Sequence, residues 1–144
     1  MFFECRRRIS KIRIILGVFM VLHGLVHLLY LGQSQRFFEL QPGMVWPDRA
    51  WVFTRFLEDG TVRWITAVAL IIAAVGFVAS GIGLFGRQAW WRPIMVGTAV
   101  FSSVLYLLLW DGGWQNLDDK GGIGVLINLA LVTAVLLFHW PNIE

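Results

Sequence analysis

Few side chains in this sequence could do chemistry, and two of them stand four residues apart in an apolar run. His23 and His27 interrupt the stretch from Ile14 to Leu31, which otherwise carries no ionisable group before Tyr30. An i, i+4 pair lies on one face of a helix, so both imidazoles point the same way. Such a pair can ligate one metal, hydrogen-bond a small carbonyl-bearing ligand such as a quinone, or tie one helix to another. Neither a metal nor a haem site can be completed within the apolar segments. They hold no Asp or Glu, and no further histidine occurs at a matching position. Only loop acids such as Glu58, Asp59 and Asp111 could add ligands, so no metal is assigned. The remaining polar groups in apolar surroundings are Asn128, His139 and the hydroxyls of Tyr30, Thr66, Thr98, Ser102, Ser103, Tyr106 and Thr133. Proton-coupled transport through the histidines would need a buried acid or a broken helix, and the segments offer neither.

What positions these residues is set by composition. Of the 144 residues 58% are hydrophobic and only 15% charged, where a soluble domain would carry about 25% charged residues. The mean hydropathy of +0.70 comes from runs near the roughly 20 residues that cross a bilayer. The net charge of +3 does not mark a nucleic-acid partner, because Arg6, Arg7, Arg8, Lys11 and Arg13 gather before the first run and read as an orientation signal. Cys5 is the sole cysteine, which excludes an internal disulfide and a Cys-x-x-Cys redox centre. The first run outlasts a signal-peptide core and no small-x-small site follows it, so it reads as an uncleaved anchor.

The hydropathy pattern predicts helices over about 9–31, 64–84, 94–110 and 123–140: one all-α membrane domain, 1–144, folded as an up-down-up-down four-helix bundle. The long loop 33–63 contains turn signals at Pro42-Gly43 and Asp59-Gly60. Between them, residues 47–57 place Val52/Phe56 and Phe53/Leu57 at i, i+4. A short amphipathic helix on the membrane surface is the expected form, with a hairpin as the alternative. Helix two carries small residues four apart (Ala69/Ala73, Gly76/Ser80, Ala79/Gly83), which permit close helix packing within the bundle or against a second copy. Tryptophans mark the segment ends at Trp64, Trp90, Trp91, Trp110, Trp114 and Trp140, as an interfacial belt does. With both termini cytoplasmic, the inner side holds seven Lys/Arg, while the longer outer loops hold five and seven of the nine acids. This is the orientation the positive-inside rule favours in a multi-pass plasma (inner) membrane protein.

Alternating crossings then bring scarce polar groups to one depth. Measured from the outer ends at about 1.5 Å per residue, His27 and Tyr106 lie at about 6 Å, Asn128 at about 7 Å and His23 at about 12 Å. Ser102 and Ser103 lie at about 11 Å. At about 100° per residue His23, His27 and Tyr30 share a stripe, as do Ser102 and Tyr106. The expectation is a polar pocket in the outer half, lined by His23, His27, Tyr30, Ser102, Tyr106 and Asn128 beneath the 33–63 loop. His139 falls at the opposite interface.

Arg13-x-x-x-Gly17 followed by Gly24-Leu-Val-His27 resembles helix one of the DoxX-like family of four-span bacterial and archaeal membrane proteins. The likeness extends to Gly81-Ile-Gly83-Leu-Phe-Gly86-Arg87 and to the Gly121-Gly122 opening of the last helix. It departs where His27 replaces the usual lysine and where the first outer loop is long. The resemblance implies a four-helix bundle and, for some members, a place in membrane oxidoreductase complexes linked to quinones or thiol stress; it transfers no catalytic residue. The expected function is an accessory or anchor subunit with a protein partner or a second copy of itself, without free-standing catalysis. The alternative is a ligand-handling enzyme or transporter that uses the pocket, with a quinone as the candidate cofactor.

Overall fold

A computed structural model describes residues 2–141 except 116 and 119, with side chains from Lys11 onward. Four helices form: α1 Phe2–Ser34, α2 Asp59–Phe85, α3 Trp91–Leu108 and α4 Gly122–Leu136. No strand occurs among the described residues. Segments of α1, α2 and α3 (Lys11–Ser34, Asp59–Phe85, Trp91–Leu108) are long and apolar enough to cross a membrane; α4 is apolar but shorter. Their outward faces are oily. Ile15, Leu22, Val68, Val75 and Leu107 are all about half exposed or more, and apolar exposure on this scale marks a membrane or protein contact.

Neighbouring helices run antiparallel, and glycines set their spacing. A Cβ on Gly24 of α1 would sit 2.9 Å from the Ala74 carbonyl oxygen, and one on Gly81 of α2 would sit 2.8 Å from that of Gly17. Contacts therefore descend in α2 as they ascend in α1. α2 packs on α3 through Gly83 against Trp90 and Trp91, and through Gly76 against Thr98. α3 packs on α4 through Tyr106 against Gly121. The α1–α4 and α1–α3 pairs make no close backbone approach. Those gaps are bridged by side chains. Leu16, Met20, Phe77, Met95, Leu131 and Val135 form one apolar core, and Trp46, Val62, Leu70, Leu105, Tyr106 and Leu109 form a second beneath the loop after α1.

Three expectations are corrected. Residues 47–57 form linked turns, neither an amphipathic helix nor a hairpin. Arg49 sits at φ 61, a left-handed conformation that breaks a helix, and the Trp51 N–H bonds the Trp110 carbonyl instead of its own segment. The Trp51 indole N–H reaches the Leu107 carbonyl at 2.9 Å, so this loop satisfies acceptors that the end of α3 leaves open. The last helix stops at Leu136 and not near Trp140. His139 turns left-handed (φ 48), and the Trp140 N–H folds back to the Ala134 carbonyl at 3.1 Å. At about 1.5 Å per residue α4 is roughly 22 Å long, short of a 30 Å hydrocarbon core. Finally, Gln33, Ser34, Asp59 and Arg63 belong to helices rather than to the loop.

The loop is pinned by charge. Asp48 takes Arg36 on one oxygen and the Arg63 guanidinium on both, at 2.8 and 2.9 Å. Buried Gln33 donates to the Met44 carbonyl at 3.1 Å and accepts the Leu40 N–H at 2.7 Å.

Gly81→Leu should drive α1 from α2 and cost about 1–3 kcal/mol. Gly97→Ala, where an added Cβ meets nothing within 4 Å, should be neutral or gain up to about 1 kcal/mol of helix propensity. Unfolding in mixed detergent micelles followed by helical circular dichroism separates the two.

Candidate functional site

All six candidate residues converge on the inside of the bundle, and five are buried. His23, His27, Ser102, Tyr106 and Asn128 are almost fully enclosed, and Tyr30 is half-buried. The i, i+4 spacing delivers both imidazoles to the inner face of α1, and each serves a different helix. His23 Nε2 lies 2.9 Å from Asn128 Oδ1 on α4, and His27 Nε2 lies 2.8 Å from Ser102 Oγ on α3. Phe77 of α2 closes the remaining side, its ring centroid 4.7 Å from that of His23 and 5.4 Å from that of His27.

The direction of each hydrogen bond follows from its ends. Ser103 donates to the Ala99 carbonyl at 2.8 Å, so its oxygen accepts from Asn128 Nδ2 at 3.3 Å. That turns Asn128 Oδ1, an acceptor only, toward His23, and His23 must carry its proton on Nε2. His27 Nδ1 faces the His23 carbonyl at 3.0 Å, which can only accept. His27 therefore carries its proton on Nδ1, and its Nε2 lone pair accepts the Ser102 hydroxyl. Two neutral imidazoles of opposite tautomer result. Both branches end on backbone carbonyls, so no continuous proton path leaves the cluster.

Above the polar layer, aromatic rings lead to the loop. Tyr106 lies 6.0 Å from His27, Trp46 stacks on Tyr106 at 5.7 Å, and Tyr30 meets both rings edge-on or nearly so. Tyr30 also donates to the Asp118 carbonyl at 3.3 Å. A surface groove of about 170 Å³ opens beside this column, walled by Tyr106, Trp110, Trp114 and Val125, with Lys120 at its edge. Lys120 is held by Asp111 at 2.7 Å. Burial raises the Asp111 carboxyl, but the Lys120 ammonium and the Gly113 N–H outweigh it and hold the group below its ordinary 3.8.

Sequence reasoning expected the candidate residues to lie together but did not give their pairing. It gave Ser103 no role, although that hydroxyl orients Asn128, and it did not single out Trp46. Ser103 stands one residue from Ser102 and four from Ala99, a back-bonding geometry that any helical serine can adopt. Trp46 lies in the irregular loop, where no periodicity marks the buried side. His139 sits at the far end of the bundle, as expected; its carbonyl accepts from Arg92 at 3.4 Å.

Comparison of the chain with protein-family models, with curated proteins and with solved structures returned no match.

Asn128→Leu should strand the His23 N–H and cost about 1–3 kcal/mol. His23→Leu with Asn128→Leu should cost less than the sum of the single changes, by about 0.6–1.7 kcal/mol. A double-mutant cycle of micellar unfolding measures that difference. For Asp111, a depressed folded value means stabilisation that is complete above the ordinary 3.8 and lost as pH falls through the lower folded value. The hydrogen-exchange protection of the Gly113 amide, which bonds Asp111 Oδ1 at 3.0 Å, should fall only below about pH 4; Asp111→Asn should abolish that dependence.

Proposed function

We propose that this chain is a small integral membrane scaffold, an accessory or anchor subunit of a plasma-membrane complex, with both termini cytoplasmic. The observation that carries this reading is the hydrogen-bond network of His23, His27, Ser102, Ser103 and Asn128. Three of the four imidazole nitrogens bond within the protein, two of them to other helices, so the histidines join helices rather than present reactive groups. Lipid-facing apolar surfaces on α1, α2 and α3 support the membrane assignment. The segregation of Lys11, Arg13, Arg87 and Arg92 to one end of the bundle supports the orientation. The DoxX-like pattern favours a redox complex as the assembly.

A second reading has a specific observation behind it. The aromatic groove at Tyr106, Trp110 and Trp114 has walls on which a flat quinone ring would stack. Its volume of about 170 Å³ is below the roughly 300–1,000 Å³ of ligand pockets, which favours the scaffold.

Gentle detergent extraction from native membranes separates the two. The scaffold predicts a colourless preparation that carries stoichiometric partner subunits and no extractable quinone. A monodisperse chain without partners that retains a quinone, and loses it on Trp110→Ala, would overturn it.

A further inference from the structure

The seam between α1 and α2 continues on its outer surface as a groove of about 320 Å³. Leu25 and Leu28 of α1 and Val75, Val78, Ala79 and Ile82 of α2 line it, and every lining residue is apolar. From Ile71, also in its lining, to Ile82 the groove follows about 16 Å of α2. It thus occupies the half of the helix that leads toward Phe85. Exposed apolar surface of this kind would ordinarily mean only contact with lipid tails. Its end makes the difference.

Two residues past Phe85, where α2 ends, stands Arg87. It is exposed and has a left-handed backbone (φ 56). Arg13 reaches the same level from α1. It lies one turn before Gly17, which abuts Phe85, and on the side of α1 that faces α2. The Arg13 Nε is buried without a hydrogen-bond partner, an arrangement that leaves a strong donor unsatisfied. Lys11 lies two residues earlier on α1, on a different face of the helix. Among the described residues none of these three cations has an ion-pair partner. Every described acidic side chain belongs to segments 39–59 or 111–118, at the opposite end. Arg92, by contrast, is already engaged with the His139 and Pro141 carbonyls.

We propose that this seam is a binding site for one anionic phospholipid, with an acyl chain in the α1–α2 groove and the phosphate at Arg13 and Arg87. A hydrophobic slot that ends at guanidiniums with no ion pair among the described residues matches the two halves of such a lipid in order and in charge. A second protein helix would fill the slot equally well but would leave the cations without a partner. The inference rests on the membrane assignment above and extends it to a lipid class.

The test uses the full chain in nonionic detergent. Native mass spectrometry is run with equimolar phosphatidylglycerol and phosphatidylcholine of identical acyl chains, and flotation with pure phosphatidylcholine vesicles is run alongside. The expected result is one retained phosphatidylglycerol per chain in preference to phosphatidylcholine. The preference should fall on the order of fivefold for each arginine neutralised by Arg87→Gln or Arg13→Gln. Arg87→Lys should keep most of it. Arg87 is exposed, so its variants leave the packed core untouched. Val75→Trp, which fills the groove from its open side, should reduce retention with both arginines in place. Equal retention of the two lipids, or a preference unchanged in Arg87→Gln and Val75→Trp, would overturn the site while flotation still upheld the membrane assignment. A chain that failed to float would overturn both.

Discussion

An imidazole enclosed by hydrocarbon must find its hydrogen-bond partner inside the protein, and this bundle is arranged around two that do. Among the helices, α1 approaches only α2 along its backbone. Its hold on α3 and α4 comes through core side chains and through two hydrogen bonds that depart from neighbouring turns in different directions. Unsatisfied, each buried polar group would cost about 1–3 kcal/mol. Satisfied, the groups hold three helices in one axial register, because a slip of a single residue moves both imidazoles off their partners. Packing of branched side chains alone is more forgiving of such slips.

That constraint explains where the chain is small and where it is aromatic. Gly24 and Gly81 let α1 and α2 approach until main-chain atoms nearly touch. This closeness lets Phe77 of α2 lie against both histidines of α1. At the loop end Trp46, Tyr30 and Tyr106 cover the polar layer, and the Asp48 carboxylate draws Arg36 and Arg63 together to hold the covering segment down. The result is an interior in which the histidine, serine and asparagine side chains bond one another and backbone carbonyls, an arrangement that suits a scaffold.

Much of this was legible in the sequence, for reasons that differ between parts. The helices were readable because lipid-facing segments must be apolar and of a minimum length, a requirement that overrides local propensity. The convergence of His23, His27, Ser102 and Asn128 was readable because helical rise and twist fix depth and facing once directions alternate. The loop was not readable. Its fold depends on Arg49 adopting a left-handed conformation and on Trp51 serving the end of α3, and neither leaves a periodic trace. The end of α4 was missed for the same reason: the helix stops at Leu136, four residues before the apolar run ends, and His139 turns the chain left-handed. Pairing inside the site was also hidden, since Ser102 and Ser103 look alike in sequence and only the bundle decides which meets an imidazole and which orients Asn128.

The central claim is the pairing of the two histidines across helices, and imidazole ¹⁵N spectroscopy of the labelled protein in lipid at neutral pH tests it most directly. The account predicts two neutral rings of opposite tautomer, with His23 protonated at Nε2 and bare at Nδ1, and His27 the reverse. Spectra in which both rings share a tautomer, or in which either carries two protons, would contradict it.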